Sequence, residues 1–266
     1  FGAFLSGGID SSAVVGLMSR HSAQPIKTFS VGFLEAGYSE LGYAKTIAEQ
    51  FKTDHHELVV SQEHLMQHLP ALVRFRDAPV AEPSDIPIYL LAKEARRTVK
   101  MVLTGEGADE FLGGYPKHVY ESYAGMYQAI PSFLRHGILE PLIQILPYRF
   151  RRAKTAMVNL GLERFEERMP RWFGAMSDNE RSDLVALSRP TIGKTGVQFD
   201  SFPANSALRR ILYFDQTSWL PDNLLERGDR MTMAASLEAR MPFMDHELAA
   251  FMSNLPDKYR VRGHTT

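Results

Sequence analysis

Apolar runs and helical stripes alternate along the first hundred residues. Phe1 to Leu5 is a short apolar run that stops at Ser6-Gly7-Gly8, and Ser11 to Arg20 reads as a helix. Lys27 to Phe33 is rich in β-formers. Leu41 to Phe51 places Ala44, Ile47, Ala48 and Phe51 on one helical face. His56 to Val60 is a third strand candidate, Ile86 to Thr98 a further helix, and Val99 to Leu103 a buried strand that runs into Thr104-Gly105-Glu106-Gly107. Such alternation predicts a parallel sheet with helices on both faces, with ligands outside the carboxyl ends of the strands. Three strands end in turns bearing Gly or Ser, at Ser6, Gly32 and Gly105, and these turns should converge on one crevice. After Tyr115 the strand signals fade. Tyr120 to Met252 has helical periodicity interrupted at Pro131, Pro147, Pro170, Pro190, Pro203 and Pro221, which predicts a mainly helical region packed against the sheet. The expected division is a nucleotide-binding α/β part over 1–118 and a mainly helical part over 119–266.

Composition narrows the function classes. The 266 residues are 44% hydrophobic, enough for one large core or two smaller ones. A net charge of −1 leaves no basic footprint for a nucleic acid, although loops and helix ends bind small anions without net positive charge. The absence of cysteine excludes disulfides, thiolate metal sites and Cys-based catalysis in these residues, and it fits a reducing compartment such as the cytoplasm. No apolar run approaches the roughly 20 residues that span a bilayer, so no membrane partner is expected. The chain opens in an apolar run without a basic leader or an initiator Met, which reads as a fragment.

The chemistry concentrates at Leu5-Ser6-Gly7-Gly8-Ile9-Asp10-Ser11-Ser12, between a strand and a helix. Two glycines allow a tight turn and close backbone approach to a ligand. Ser6, Ser11 and Ser12 add hydroxyls, and the helix start contributes about half a positive charge. Together these make a cradle for phosphate or pyrophosphate. Asp10 would repel a phosphate unless a cation lay between them, which points to Mg²⁺. A bare Gly-Gly turn with Ser and Asp caps needs no ligand; so many hydroxyls ask for more than capping. A second acidic run, Gly105-Glu106-Gly107-Ala108-Asp109-Glu110, follows the strand at Leu103 and is either a solvated turn or more metal and proton-transfer chemistry. Gly193-Lys194-Thr195 is not a Walker A loop, because position 188 is Ser and no strand precedes it. His55-His56 point to opposite faces of a strand and chelate poorly together. Arg227, Arg230 and Arg240 fit either a ligand carboxylate or phosphate, or a structural network with Asp229, Glu238 and Asp245.

The Ser6–Ser12 string resembles the pyrophosphate loop of the N-type ATP pyrophosphatases. The wider pattern is similar to the synthetase domain of glutamine-dependent asparagine synthetase and its relatives, across essentially the whole chain. The matches are Gly2 to Ser12, Phe29 to Phe33, Thr104 to Tyr115, and Ser236 to Asp245. The resemblance implies an adenine nucleotide α-hydrolase-like fold, with ATP and Mg²⁺ as cofactors. It also implies activation of the aspartate side-chain carboxylate as an adenylate that ammonia then displaces. On it, Leu5, Val31, Thr104 and Gly105 match positions that contact adenosine and ribose, although Leu5 or Val31 alone reads better as core. Ser6, Gly7, Gly8, Asp10, Ser11 and Ser12 hold the pyrophosphate, Asp10 and Asp109 hold Mg²⁺, and Glu106 serves formation of the acyl-adenylate. The family couples this domain to an N-terminal glutaminase that draws ammonia from glutamine, and a homodimer is possible. It places a catalytic Lys after a Tyr-basic-x-x-Gly run that Tyr259 to Gly263 matches, so that Lys is expected immediately beyond Thr266. Competing readings are an amidating or cyclising relative acting on another carboxylate, and a nucleotide-binding module without turnover.

Overall fold

The structure is a computed structural model and describes residues 1–34, 39–77, 82–173, 183–184 and 206–263. Gly193-Lys194-Thr195 lies outside the described residues. In chain order the first elements are β1 (Gly2–Phe4), α1 (Ile9–Arg20), β2 (Lys27–Phe33), α2 (Leu41–Phe51), β3 (Asp54–Val60), α3 (Gln62–Arg76), α4 (Asp85–Ala95) and β4 (Met101–Leu103). Short helices follow: α5 (Ala108–Leu112), α6 (Pro116–Ser122), α7 (Ala124–Gln128), α8 (Ser132–Leu134), α9 (Glu140–Ile145), α10 (Arg151–Gly161), α11 (Phe165–Arg171) and α12 (Ala207–Phe214). The chain then runs through α13 (Glu226–Ala234), β5 (Glu238–Arg240) and α14 (His246–Asn254). Two compact units result, one formed by 1–108 with 220–252, the other by 109–219 with 253–266.

The first unit is the expected α/β layer structure. Five strands lie in the order β3-β2-β1-β4-β5, every neighbouring pair parallel. Parallel strands are buried on both faces, and the short β1 obeys this: Ala3 turns to one side and Phe4 to the other. One face carries α1 and α2, with Ala3, Leu5, Val14, Val15, Ala44 and Ala48 in its core. The opposite face buries Phe29, Val102 and Leu237 against Leu91, Ala92 and Ala95 of α4. Met231 of α13 joins Leu72 and Ile86 in a smaller cluster. The chain winds outward from β1 to β3 and then crosses back to β4 on the other side of β1. That reversal leaves a crevice at the carboxyl ends of β1 and β4, where open α/β sheets take ligands.

Two elements here escaped the hydrophobic pattern. β5 pairs with β4 from Met101↔Glu238 to Leu103↔Arg240, yet Glu-Ala-Arg has no strand signal of its own. α3 begins at a Ser61 cap with a reciprocal His64 contact and carries Pro70 within it. Its polar surface hides the periodicity.

The second unit is helical. Its core gathers Phe165 and Met169 from α11 with Leu208, Ile211, Leu212 and Phe214. Arg168 reaches the fully buried Glu121 with Nη2 at 2.7 Å from Oε1 and donates to the Leu162 and Glu163 carbonyls, so its charge is neutralised and its donors are used.

Candidate functional site: the loops after β1 and β4

The loop between β1 and α1 is shaped by one residue with a left-handed backbone. Gly7 has φ +85°, and a Cβ there would stand 2.5 Å from the Tyr43 Cβ and 2.6 Å from the Ala44 nitrogen. No side chain fits between this turn and α2. The three serines mostly serve the loop itself. Ser6 Oγ accepts from the Gly8 N–H at 3.2 Å and lies 3.0 Å from Ser11 Oγ, while Ser11 and Ser12 both donate to the Gly8 carbonyl, at 3.2 and 2.7 Å. These bonds close the loop over the first turn of α1. Gly8, the N-cap, has no side chain to cover that turn, and no side-chain cap is made. A helix start leaves its first N–H groups without intrahelical acceptors. Here they sit beside exposed Ser6 and Gly8, a geometry that suits an anion.

The turn after β4 comes against the same helix start. Gly105 is close enough that a Cβ would lie 2.8 Å from the Ser11 nitrogen and 3.1 Å from the Asp10 Cβ. Thr104, whose N–H donates to the Arg240 carbonyl at 3.0 Å, is buried, and its Oγ1 has no hydrogen-bond partner. An orphaned buried hydroxyl costs about 1–3 kcal/mol and marks a place for a polar ligand or a water. Glu106 follows, partly buried, its carboxylate oxygens lying over Gly228 in the first turn of α13. Thus Leu5 through Ser12, Thr104, Gly105 and Glu106 are brought together in one unit. Leu5 itself is core, with 2% of its surface exposed, and its carbonyl accepts from the buried Ser30 hydroxyl. Val31 packs against the opposite core cluster, so both supply backbone rather than side-chain surface.

Asp109 belongs to the second unit, where its carboxylate lies against Gly114. Burial pushes its pKa up, against the pull of His118 and Lys117. Around it is a polar cluster that the sequence pattern did not reveal. Lys117 Nζ is held 2.8 Å from Asp215 Oδ1 and sits 3.6 Å from the centre of the Phe173 ring. Burial lowers the Lys117 pKa although Asp215 opposes it. His118 accepts from the Tyr115 N–H at Nδ1 and therefore presents its Nε2 hydrogen to Asp215 Oδ2 at 2.7 Å. Tyr115 donates to Glu110 at 2.5 Å.

Among the described residues no group of three or more His, Cys, Asp or Glu side chains is arranged to hold a metal. Magnesium on a nucleotide needs only one or two protein carboxylates, since the phosphate oxygens complete the shell, so a carboxylate beside the loop fits it. His55 bonds Thr28 at 2.9 Å and His56 stacks on Phe29 with ring centres 5.2 Å apart, so both serve β2–β3 packing. The arginines form a structural network. Arg240 Nε bonds Glu238 at 2.7 Å, Arg230 pairs with Glu226, and Arg227 lies 3.6 Å from Asp85 and 3.7 Å from Glu82. Asp245 instead accepts from the N–H groups of Glu247 and Leu248 at the start of α14.

A parallel sheet with a glycine-bent, uncapped helix start at its topological switch point defines an α/β protein with a fold of the nucleotide-binding class. Comparison with known proteins then names the family. The chain belongs to the asparagine synthase family, whose model matches residues 1–266. It is 33% identical over its whole length to the asparagine synthetase [glutamine-hydrolyzing] 1 of Bacillus subtilis (strain 168), covering 42% of that protein. It is 35% identical, again over its whole length, to a putative asparagine synthetase [glutamine-hydrolyzing] of Mycobacterium bovis, covering 40% of it. A 24% identical match over 97% of the chain is to an amidase, chry2, of Gibberella zeae. The chain spans about two fifths of the length of the curated relatives it matches.

Proposed function

We propose that this chain is the ATP-dependent synthetase part of an amide-forming ligase. The reading is carried by the meeting of two loops, Ser6–Ser12 after β1 and Thr104–Glu106 after β4, at an uncapped helix start. The β,γ-phosphates of ATP would lie over the first turn of α1, where backbone N–H groups of Ile9 to Ser11 and the helix dipole favour negative charge. Adenosine would rest against the strand ends at Leu5 and Val31, with Thr104 Oγ1 and the Gly105 backbone as its polar contacts. Asp10 is the proposed first carboxylate for Mg²⁺, and Asp109 is proposed as the second on the family resemblance. Bound magnesium supplies charge neutralisation for the departing pyrophosphate.

In this reading a carboxylate oxygen of the aspartate side chain forms a bond to the α-phosphorus as the bond to the pyrophosphate oxygen breaks. The product is β-aspartyl-AMP. The loop's share of catalysis is positioning and electrostatic stabilisation of charge that moves onto the leaving group. Ammonia, drawn from glutamine where a glutaminase domain accompanies this one, then attacks the acyl carbon and AMP leaves. One proton is lost from nitrogen, and Glu106 is the residue proposed to assist one of these steps. Asparagine as the product rests on the names of the relatives, and mass spectrometry of products from aspartate and from other acids separates the acceptors. Asp10→Ala is expected to abolish ATP–pyrophosphate exchange with the fold intact by circular dichroism. Exchange at the wild-type rate would remove the metal assignment.

A further inference from the structure

Gly228 stands in the first turn of α13, where alanine would serve the helix better. Its backbone has no positive φ to explain it. What it faces is the Glu106 carboxylate: a Cβ on Gly228 would lie 3.2 Å from Oε2, tighter than most Cβ contacts, and 3.6 Å from Oε1, so the carboxylate would have to shift by a few tenths of an ångström. The turn is anchored from beneath. Glu226 receives Arg76 Nη2 at 3.1 Å, and the buried Arg227 lies against the fully buried Asp85, which Arg76 also engages. With Glu226 and Arg227, the two residues just before Gly228, tied to α3 and α4, the turn resists moving away from Glu106.

We propose that Gly228 is a positioning residue for Glu106: the missing side chain leaves the space in which that carboxylate takes its working place. The inference rests on Glu106 being the carboxylate that assists the reaction. The test uses the protein at its natural length, with wild type, Gly228→Ala, Glu106→Gln, Glu106→Asp and the double variant Gly228→Ala/Glu106→Asp. Ammonia-dependent amide formation, ATP–pyrophosphate exchange and Tm are measured for each. In Gly228→Ala, Tm is expected to stay level or rise, because alanine is the better helix former, while kcat falls about tenfold through displacement of the carboxylate. KM for ATP should stay within about twofold, since the phosphate loop is untouched. Glu106→Asp, which draws the carboxylate back, should cost less in the Gly228→Ala background than in wild type.

A Gly228→Ala protein with wild-type kcat would overturn the proposal, provided Glu106→Gln is impaired. A Gly228→Ala protein that misfolds or melts earlier would also overturn it, because the glycine would then be serving the fold. If Glu106→Gln keeps full activity, the role assigned to Glu106 falls, and the Gly228 proposal falls with it.

Discussion

Asp85 carries the clearest electrostatic consequence at the scale of single residues. It is fully buried, and burial holds its carboxyl above the usual 3.8 even though Arg76 pulls the other way. Its Oδ1 has no hydrogen bond, and Arg227 Nε, 3.6 Å away, has none either. Because the folded pKa lies above the unfolded one, the folded state binds the proton more tightly. The contribution to stability is therefore complete below 3.8 and falls as pH rises through the folded value. Urea unfolding of wild type and Asp85→Asn across that range should show the wild type losing stability with rising pH more steeply than the variant. Parallel curves would mean that another group sets the slope. None of this was legible beforehand. Asp85 carries no motif, and its partner Arg227 comes from a distant stretch of the chain.

Elements tell a more even story. Strands β2 and β3 and helices α1 and α2 were readable because each pairs a clear period with a clean end. The loop after β1 was readable because turn chemistry is local: a residue at φ +85° is written into the chain as glycine. Gly7→Ala is accordingly expected to cost about 1–3 kcal/mol in backbone strain alone, with the contact to Tyr43 added. Chemical denaturation measures that loss, and an unchanged midpoint would contradict the geometry. The serines show the limit of such reading. Their hydroxyls were expected to face a ligand, yet Ser11 and Ser12 donate to the Gly8 carbonyl and build the loop instead. Which way a hydroxyl turns depends on the acceptors that folding brings near it. β5 escaped for a related reason, since an edge strand of three residues takes its conformation from the partner strand.

At the scale of the molecule, residues 220–252 return to the unit formed by 1–108. They bring β5 to the sheet edge, Leu237 to one core face and Met231 to the cluster on α3 and α4. A fragment ending at Ala108 would expose both apolar sites, so it is expected to lack cooperative thermal unfolding. Addition of a separate 220–252 segment should restore part of the far-ultraviolet signal. A cooperative transition in the fragment alone would show the return to be dispensable. Among the described residues no helix is long and apolar enough to cross a membrane. By itself the sequence determined the layered α/β class, the family and the glycine turn after β1, because periodicity, turn glycines and contiguous motifs are properties of neighbouring residues. Only the tertiary structure decided that Gly228 underlies Glu106, that Arg76, Asp85 and Arg227 tie α13 in place, and that the strand at 238–240 completes the sheet. Each of these joins residues far apart in the chain, where the entropy of closing long loops is overcome by burial and no local pattern records the partner.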